Sequence, residues 1–577
     1  MLLKPFSKHI TLSAAVMAAA LNATAQTVAT SYKDANNGNP ISACVFCADP
    51  TALEYDGRVY VYGSNDHQQF IKNGKKGNND YGAIKSLVVF STDDMANWTF
   101  HGTIDVAKLC SSWGWRFAAS WAPSVTWRMG ANGLPEFFLY FANSGGSIGV
   151  LKASSPTGPW KSPLSKPMID GDTPGVKPCN WIFDPGVVID DEGTGWIAFG
   201  GGDPQPTGSK LMPGNSRIAR LKSSMTALDG KAVNLPAPYL FEASELNMMN
   251  GRFVYTYNTS WSDRNDWSSY AKRGSQPSPS TCSMCYMVTD TPLDPDSWEY
   301  RGEYVANPGS FGFGWGNNHT HLQKFGTGYY LFYHCSMLEQ AMNTGASGFR
   351  SICVNKATVN EAQQKIGKVT MSKTGVTPTQ NLDPYRLHQA ETMATAGGVS
   401  YEDFSNITKA TSVSTLGNDA SQNMQVRMKA GAWTMLRKVD FGSTGATAFT
   451  FRAKGSGALE IRLASRTAKA AARVEFSSTG FEDHTIALDP AVFNGLRSVY
   501  LVFTEATNVY FDAWQFANAE TEGISDIRYG QDSQTGISAQ MSLFDLNGRP
   551  IASPRAHGLY IEQTTDANGT RRRKVMR

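Results

Sequence analysis

The sequence of 577 residues lacks a strong net charge, a long apolar run and a phosphate-binding turn, and each absence excludes a class of function. Lysine and arginine number 52 against 49 aspartate and glutamate residues, so the basic surface expected of a nucleic-acid-binding protein is missing. The apolar run at residues 10–21 is too short to cross a bilayer, and no other segment could serve as a transmembrane span. No glycine-rich turn lies between a predicted strand and a predicted helix, which argues against a dinucleotide or phosphate enzyme.

The first 25 residues read as a secretory signal peptide. Lys4 and Lys8 form a positive start, residues 10–21 an apolar centre, and residues 23–25 (Ala-Thr-Ala) a cleavage site between small residues. The sequence therefore predicts a secreted or cell-surface protein.

The eight cysteines all lie between Cys44 and Cys353. An even number in an exported chain favours disulfides, although the spacing does not determine their pairing. The pair Cys44 and Cys47 and the pair Cys282 and Cys285 leave zinc as a less favoured alternative, because the two pairs are far apart in the chain.

Glycine and aromatic residues are abundant, and they recur in a strand–turn–strand pattern from about residue 42 to about residue 375. A short apolar run, a turn such as Asp56-Gly57 and an alternating aromatic strand follow one another, which is typical of a β-hairpin. The strand after the turn is predicted at residues 58–64, 136–143, 195–201, 252–260 and 329–336. Five unequal copies of a multi-strand unit predict a five-bladed β-propeller, with an irregular pair of β-sandwiches as the alternative.

The rest of the chain predicts two further β domains. Turn residues accumulate at 375–384 and end the repeat. The predicted fold class is all-β: a five-bladed propeller over residues 26–380, a cysteine-free β-sandwich of the jelly-roll kind over 386–518, and a small C-terminal β domain over 519–577.

Three of the repeats carry a carboxylate just before the apolar run, at nearly the same distance from the turn: Asp49, Asp184 and Glu242. The innermost strands of a propeller face its axis, so these groups should meet at one mouth of the shaft, with His319 beside them. Converging carboxylates repel one another, which raises at least one pKa and prepares that group to donate a proton. Glycoside hydrolysis needs this division into an acid and a base. Glu245 is a less favoured candidate for the acid.

These motifs resemble glycoside hydrolase family 43. The matching segments, in the family's order, are Ala48-Asp49-Pro50, Trp121-Ala122-Pro123-Ser124, Phe183-Asp184-Pro185, Phe241-Glu242-Ala243-Ser244, Asn317-Asn318-His319 and Tyr329-Tyr330-Leu331-Phe332-Tyr333-His334. The resemblance implies hydrolysis with inversion, with Asp49 as general base, Asp184 as the residue that tunes and orients the acid, and Glu242 as general acid. It implies no cofactor for the chemistry, and a structural calcium ion in the shaft held through His319.

Aromatic residues near the predicted acids are candidate sugar contacts, because aromatic rings stack on the apolar face of a sugar. We expect Trp121 to bind substrate in this way, with Phe183 and Trp315 as further candidates.

Residues 386–518 resemble carbohydrate-binding module family 6. The segments that carry the resemblance are Gln389-Ala390-Glu391, Gly431-Ala432-Trp433, Val439-Asp440-Phe441-Gly442, Tyr500-Leu501-Val502-Phe503 and Asn508-Val509-Tyr510-Phe511-Asp512-Ala513-Trp514-Gln515-Phe516. The resemblance implies a structural calcium ion bound through Glu391 and a sugar contact at Asn508. Arg427 and Phe481 fall where such modules usually place two aromatic rings.

The tail resembles the C-terminal sorting domains of type IX secretion, on residues 541–549, 558–561 and 574–576. That resemblance implies export across an outer membrane, to the cell surface or the medium.

Together these features predict an exported, inverting, exo-acting glycoside hydrolase that removes arabinofuranose or xylose from plant hemicellulose. Its partner would be a plant cell-wall polysaccharide or oligosaccharide, and its activity that of an α-L-arabinofuranosidase or a β-D-xylosidase. An endo-arabinanase of the same fold and a non-catalytic glycan-binding surface protein are the alternatives. Loss of an acidic residue from the trio would favour the binding protein, and all three acids are present.

Overall fold

The computed structural model describes residues 28–74, 76–407, 424–519, 540–544, 550–551, 559–566 and 569–576. The predicted signal peptide lies outside these residues. The chain divides into two compact units, Met1–Gly523 and Ile524–Arg577. Within the described part of the chain, no helix has both the length and the apolar character needed to cross a membrane.

Five antiparallel sheets form the predicted five-bladed propeller. The blades are, in order: β1 (Ala48–Tyr55), β2 (Arg58–Ser64), β3 (Leu87–Thr92) and β4 (Trp98–Ile104); β5 (Trp121–Met129), β6 (Pro135–Ala142) and β7 (Ile148–Ala153); β8 (Gly186–Ile189), β9 (Gly195–Gly200), β10 (Ser216–Arg220) and β11 (Val233–Asn234); β12 (Leu240–Met249), β13 (Arg252–Thr259), β14 (Met284–Thr289) and β15 (Glu299–Val305); β16 (Thr320–Phe325), β17 (Gly328–Cys335) and β18 (Ser351–Ala357). Short helices α1 (Asp66–Asn73), α2 (Val106–Leu109) and α3 (Met337–Met342) lie in the connections. A small hairpin of β19 (Val359–Asn360) and β20 (Lys365–Ile366) follows the last blade.

The hairpin that opens blade 1 shows how the sequence sets the register. Asp56 and Gly57 adopt φ values of 51° and 72°, as a two-residue hairpin turn of type I′ requires at both central positions. The turn pairs Tyr55 with Arg58 and makes the predicted strand at 58–64 coincide with β2.

The region after the propeller is one curled sheet of eight strands, whose two halves enclose an apolar core. Its strands are β21 (His388–Gln389), β23 (Thr395–Gly397), β24 (Phe404–Asn406), β25 (Met424–Met428), β26 (Trp433–Asp440), β27 (Ala448–Leu463), β28 (Ala470–Ala487) and β29 (Leu496–Ala517). The short strand β22 (Thr392–Met393), between β21 and β23 in the chain, belongs to a different sheet. The long strand β27 contains a bulge near Gly455. A Cβ at Gly455 would lie 2.4 Å from the Asn508 carbonyl oxygen, and its φ is 99°, so only glycine fits there.

The propeller and the curled sheet are joined by strand pairing and a shared core. The short strand β22 pairs with β4 and adds a fifth strand to blade 1. Thr99 and Thr392 share a hydrogen bond of 2.8 Å at this junction. Trp98 and Phe100 of the blade belong to the same core as Met424 and other residues of the curled sheet. The domain limits read from the sequence stay a prediction. The strand β22 lies past the expected linker, yet it pairs with a propeller blade.

The described residues of the second compact unit form four antiparallel strands in the order β31-β30-β32-β33. They are β30 (Gln540–Phe544), β31 (Pro550–Ile551), β32 (Leu559–Asp566) and β33 (Gly569–Met576).

The expectation of disulfides is wrong for this structure, in which all eight cysteines are free thiols. Most are packed as small apolar groups in the buried cores; burial raises the pKa of Cys44 and Cys47 to about 12, for example. Cys335 and Cys353, on neighbouring strands, approach to 3.5 Å between sulfur atoms. The described residues contain no cluster of three or more potential metal ligands, so they offer the zinc alternative no support.

Candidate active site

At the mouth of the shaft, four of the innermost strands have a residue in the left-handed backbone region at or near their start. The φ values are 51° at Asp49, 38° at Ala122, 46° at Asp184 and 61° at Ala243. Pairing registers shift at the same places in β1, β5 and β12, which marks β-bulges. A non-glycine residue in this region costs about 1–3 kcal/mol, and such strain collects at functional sites.

The bulge explains how Glu242 enters the site. Relative to the left-handed residue, Glu242 stands one position earlier than Asp49 and Asp184, where the other blades carry Trp121 and Phe183. All five side chains line the same cavity. The sequence predicts that the three acids occupy equivalent positions of their blades. Asp49 and Asp184 do, but Glu242 lies one residue before the equivalent position. A bulge breaks strict alternation along the strand, so both positions can reach the cavity.

The cavity at this mouth has a volume of about 300 Å³. It is lined by Asp49, Tyr81, Trp121, Trp181, Phe183, Asp184, Phe241, Glu242, Asn317, His319 and Arg350. Its mix of aromatic rings and a few convergent charged groups is typical of a small-ligand site, and its volume is at the lower end of the usual range.

Asp49 is held as an ionised carboxylate. Arg350 donates from Nη1 to Asp49 Oδ1 at 2.8 Å, and Ser64 donates from Oγ to Oδ2 at 2.7 Å. The Asp49 backbone N–H donates to His334 Nδ1 at 3.0 Å. Burial alone would raise the pKa of Asp49, but Arg350, His334 and His319 together hold that pKa well below its usual range. An ionised, buried carboxylate of this kind can accept a proton.

Glu242 is the opposite case, a carboxyl group kept protonated. Burial raises its pKa well above the ordinary value, and the nearby Asp184 and Asp49 raise it further. Its Oε1 is buried with no hydrogen-bond partner among the described residues. Burial and the charge of Asp49 also raise the pKa of Asp184 to about 7, while Asp184 Oδ2 accepts the Ala243 N–H at 2.8 Å. The cavity thus contains a proton acceptor and a proton donor, with a third acid that biases the donor.

The histidines and Glu245 have separate positions. His319 Nδ1 lies 3.9 Å from both Asp49 Oδ1 and Asp184 Oδ2, and burial lowers the pKa of this imidazole to about 4. Glu245 does not line the cavity, because its Oε1 pairs with His321 Nδ1 at 2.5 Å. This pairing favours Glu242 over Glu245 as the acid. Calcium at His319 stays a prediction, since no cluster of three potential ligands occurs in the described residues.

The predicted sugar contacts divide into two groups. Trp121 and Phe183 line the cavity, and Trp121 Nε1 donates to the Tyr81 carbonyl oxygen at 3.2 Å. Trp315 does not line the cavity; its side chain is 65% exposed, and its ring lies 6.3 Å from that of Trp261.

The predicted site residues of the curled sheet lie apart from this cavity. Asn508 lies on β29 with a φ of 52° and is exposed. Lys454 lies over the Phe481 and Tyr510 rings, 4.8 Å and 4.6 Å from their centroids, which places a cation against the aromatic position predicted at Phe481. Glu391 is fully buried, and neither of its carboxylate oxygens has a hydrogen-bond partner in the described part of the chain.

Sequence reasoning missed Arg350, the group with the closest charge contact to Asp49. Its guanidinium also donates to Asp66 from Nε and Nη2, at 2.9 and 2.8 Å. The Tyr81 ring lies 5.0 Å from the guanidinium carbon. The available signal was a lone charge at Arg350 directly before the apolar strand β18, because an isolated charge in such a position needs a buried partner.

A five-bladed propeller whose mouth pairs an ionised carboxylate with a protonated one defines a glycoside hydrolase. The comparison with protein families agrees: residues 23–361 match the model of glycosyl hydrolases family 43, and residues 389–518 match that of carbohydrate binding module family 6. The chain belongs to glycosyl hydrolase family 43 and carries a family 6 module, which is the curled sheet.

Characterised relatives align over most of the chain. An arabinoxylan arabinofuranohydrolase of Bacillus subtilis is 36% identical over 513 residues, which cover 86% of this chain and 95% of the relative. One from Paenibacillus polymyxa is 35% identical over 495 residues, covering 83% and 74% respectively. The crystal structure of a family 43 arabinoxylan arabinofuranohydrolase from Bacillus subtilis in complex with cellotetraose superposes with a TM-score of 0.74 at 33% identity, covering 85% of this chain and 99% of that one.

Proposed function

We propose that this protein is an inverting, exo-acting arabinofuranohydrolase that removes arabinofuranose residues from arabinoxylan. The observation that carries the proposal is the single cavity in which Asp49 is ionised and Glu242 is protonated. The substrate is supported by the two bacterial relatives named as arabinoxylan arabinofuranohydrolases. Exo action is supported by the small volume of the cavity, which suits one terminal sugar better than a polymer segment.

Each acid has a distinct task in the proposed reaction. Glu242 protonates the glycosidic oxygen as the bond to the leaving xylan chain breaks. Asp49 accepts a proton from a water molecule, which attacks the anomeric carbon from the opposite face of the sugar. Burial keeps Glu242 protonated before each turnover, and the nearby Asp184 raises the pKa of this acid further.

The test is sugar release from arabinoxylan by the purified full-length protein. We expect arabinose from the wild type and almost none from Glu242→Gln, which keeps the shape of the acid but has no proton to donate. Glu299→Gln is the matched control, since Glu299 lies on the outer strand β15 of the same blade and pairs at the surface with Arg252 and Arg301. An active Glu242→Gln variant would overturn the assignment of the acid.

The products also separate the alternatives. Release of xylose in place of arabinose would make the protein a β-D-xylosidase, and internal cleavage of arabinan would make it an endo-arabinanase. Absence of any released sugar would favour the glycan-binding protein. Proton NMR of the first-formed anomer tests inversion, which requires a product of anomeric configuration opposite to that of the substrate.

We further propose that Glu391 binds a structural calcium ion in the family 6 module. Burial raises the pKa of Glu391 well above its usual range, with a further contribution from the nearby Asp512. The carboxylates at this buried position are those of Glu391 and Asp512, and both oxygens of Glu391 lack a hydrogen bond among the described residues. This arrangement fits calcium, a hard cation that takes oxygen ligands. Glu391→Gln should remove a chelator-sensitive step in thermal unfolding and one equivalent of calcium by elemental analysis. A His319→Ala variant with less calcium than the wild type would support the predicted ion in the shaft.

We propose, finally, that the protein is exported. The support is the signal-peptide pattern of residues 1–25 and the resemblance of the tail to type IX sorting domains. Cell fractionation and N-terminal sequencing test this: mature protein that begins after Ala25, outside the cytoplasm, is expected. Full-length protein confined to the cytoplasm would contradict it.

A further inference from the structure

Residues 64–67, where β2 ends and α1 begins, alternate between two sets of contacts. Ser64 donates to Asp49 Oδ2, and Asp66 accepts from Arg350, which in turn donates to Asp49. Asn65 and His67, between and after them, point the other way and contact the family 6 module. The same four-residue segment therefore supports the proposed general base on one side and the module on the other.

The module contributes the loop that begins at Ser400. The Tyr401 ring stacks on the His67 imidazole, with centroids 4.2 Å apart and planes 17° from parallel. Asn65 Nδ2 donates to the Tyr401 hydroxyl at 3.1 Å. His67 Nε2 also lies 3.6 Å from Glu402 Oε1. One hydrogen bond, one ring stack and one ion-pair contact thus converge on two adjacent module residues.

This loop is itself held in place, so its contacts can fix the segment that it covers. Asp403 Oδ2 accepts from the Ser400 backbone N–H and hydroxyl, both at 2.9 Å, and from Lys429 Nζ at 2.6 Å. The Phe404 ring packs edge-on against Phe100 of blade 1 at 5.1 Å. The loop is therefore anchored both to the module and to the propeller.

A second path leads from His67 to the base through the main chain. His67 N–H donates to the Phe46 carbonyl at 3.1 Å, and the Phe46 N–H donates to His67 Nδ1 at 3.3 Å. Phe46 is three residues before Asp49, at the entry to β1. A shift of the His67 ring would therefore move the start of the strand that carries the base.

We propose that Tyr401 and Glu402 of the module are positioning residues for hydrolysis: through Asn65 and His67 they fix Ser64 and Asp66, which orient Asp49 directly and through Arg350. The family 6 module is then a structural part of the active site, whatever sugar it binds. This inference rests on the proposed role of Asp49 as the base. A displacement of about 1 Å in a catalytic group can cost about 100-fold in rate, so even a partial loosening of this support is measurable.

The test compares variants of the full-length protein in arabinose release. Tyr401→Ala removes the stack and the hydrogen bond, and we expect kcat to fall by about 10-fold with KM changed less than about 2-fold, because the cavity wall is untouched. Tyr401→Phe keeps the ring and should restore most of kcat. Thr392→Val is the matched control: it removes the 2.8 Å hydrogen bond to Thr99 at the same interface but touches none of the segment, so its kcat should equal that of the wild type.

The outcomes are distinct. A folded Tyr401→Ala protein with wild-type kcat, or an equal loss of kcat in Thr392→Val, would overturn the inference and leave the module as a general stabiliser. If Tyr401→Ala does not fold, Glu402→Gln decides, because that side chain is 59% exposed: a lower kcat at unchanged KM supports the inference, and an unchanged kcat refutes it. A wild-type protein that releases no sugar would instead overturn the proposed function.

Discussion

Arg350 lies between two buried carboxylates, and removing its charge should move the acidic limb of the activity profile. The guanidinium contacts Asp49 with one nitrogen, at 2.8 Å, and Asp66 with two. Asp49 can act as a base only when it is ionised. In the wild type its pKa lies well below the usual range, so loss of the base should not limit activity in mild acid. Without Arg350 the pKa rises, and activity is lost from the acidic side first.

The size of the shift follows from the contact distance. Two unit charges about 4 Å apart interact by about 4 kcal/mol at an effective dielectric constant of about 20, and about 1.4 kcal/mol corresponds to one pKa unit. The full charge of Arg350 therefore accounts for about 3 units in the pKa of Asp49. His334 and His319 stay beside Asp49 and lower its pKa as well. A variant that also removes the opposite charge of Asp66 loses part of this shift, so we expect the acidic limb of kcat/KM to move up by about 2 pH units.

The variant must avoid a second effect at Asp66. Arg350→Met alone would leave Asp66 buried without its cation, and breaking a buried ion pair in this way costs about 3–5 kcal/mol of stability. Arg350→Met combined with Asp66→Asn removes both charges together and keeps the Asn79 contact to position 66 available. Arg350→Lys, which keeps the charge but loses the paired geometry, is the control and should shift the limb much less.

The assay is kcat/KM for a small aryl arabinofuranoside from acidic to neutral pH, with circular dichroism at each pH to confirm that the protein is folded. A double variant whose acidic limb coincides with that of the wild type would refute the electrostatic reasoning. It would mean that His334 and His319 suffice, or that Asp49 is not the titrating base.

Further predictions concern the other groups of the cavity. Burial and Asp49 raise the pKa of Asp184 to about 7, so the folded state becomes less stable as the pH rises from about 4 towards 7. Asp184→Asn should therefore raise the melting temperature by a few degrees at neutral pH and by less in acid. An equal change at both pH values would contradict this. The same variant should lower kcat. Trp121→Ala should raise KM for the aryl substrate several-fold, whereas Trp315→Ala, outside the cavity, should leave it unchanged. Thiol titration of the unfolded, unreduced protein should count all eight cysteines; a count lower by two would indicate oxidation of a pair such as Cys335 and Cys353.

The sequence was sufficient for the propeller because its signals are local. Turn pairs such as Asp56-Gly57 require a particular backbone, and the alternating strand after each turn has a period that the pleat must follow. The predicted strands at 58–64 and 195–201 therefore agree with β2 and β9 to within a residue at their ends. The three acids could be predicted on the same basis, since equivalent strands of a propeller converge on its axis.

Arg350 and Asp66, whose charges act on Asp49, were not predicted because they lie in connections between strands and not at the equivalent positions of the innermost strands. Arg350 approaches Asp49 across 301 residues of chain, and Asp66 lies at the start of α1, in the connection between β2 and β3. The disulfide prediction was wrong for a different reason: an even count of cysteines in an exported chain is a statement about composition, whereas the distance and direction between two side chains decide whether they can bond. The off-by-one position of Glu242 depends on a bulge that the sequence does not mark.

The bulges also explain why the propeller can hold its acids in fixed positions although each comes from a separate blade. A left-handed residue turns its backbone N–H out of the strand ladder, and in three blades that N–H binds a side chain from a neighbouring blade. Ala122 donates to Ser64 Oγ, which itself donates to Asp49, and Ala243 donates to Asp184. Asp49 donates to His334 of the last blade. Asp49 and Asp184 are thus oriented across blade boundaries, so their geometry depends on how neighbouring blades pack. Tyr401 of the module stacks on His67, close in sequence to Ser64 and Asp66, which contact Asp49 and Arg350 respectively.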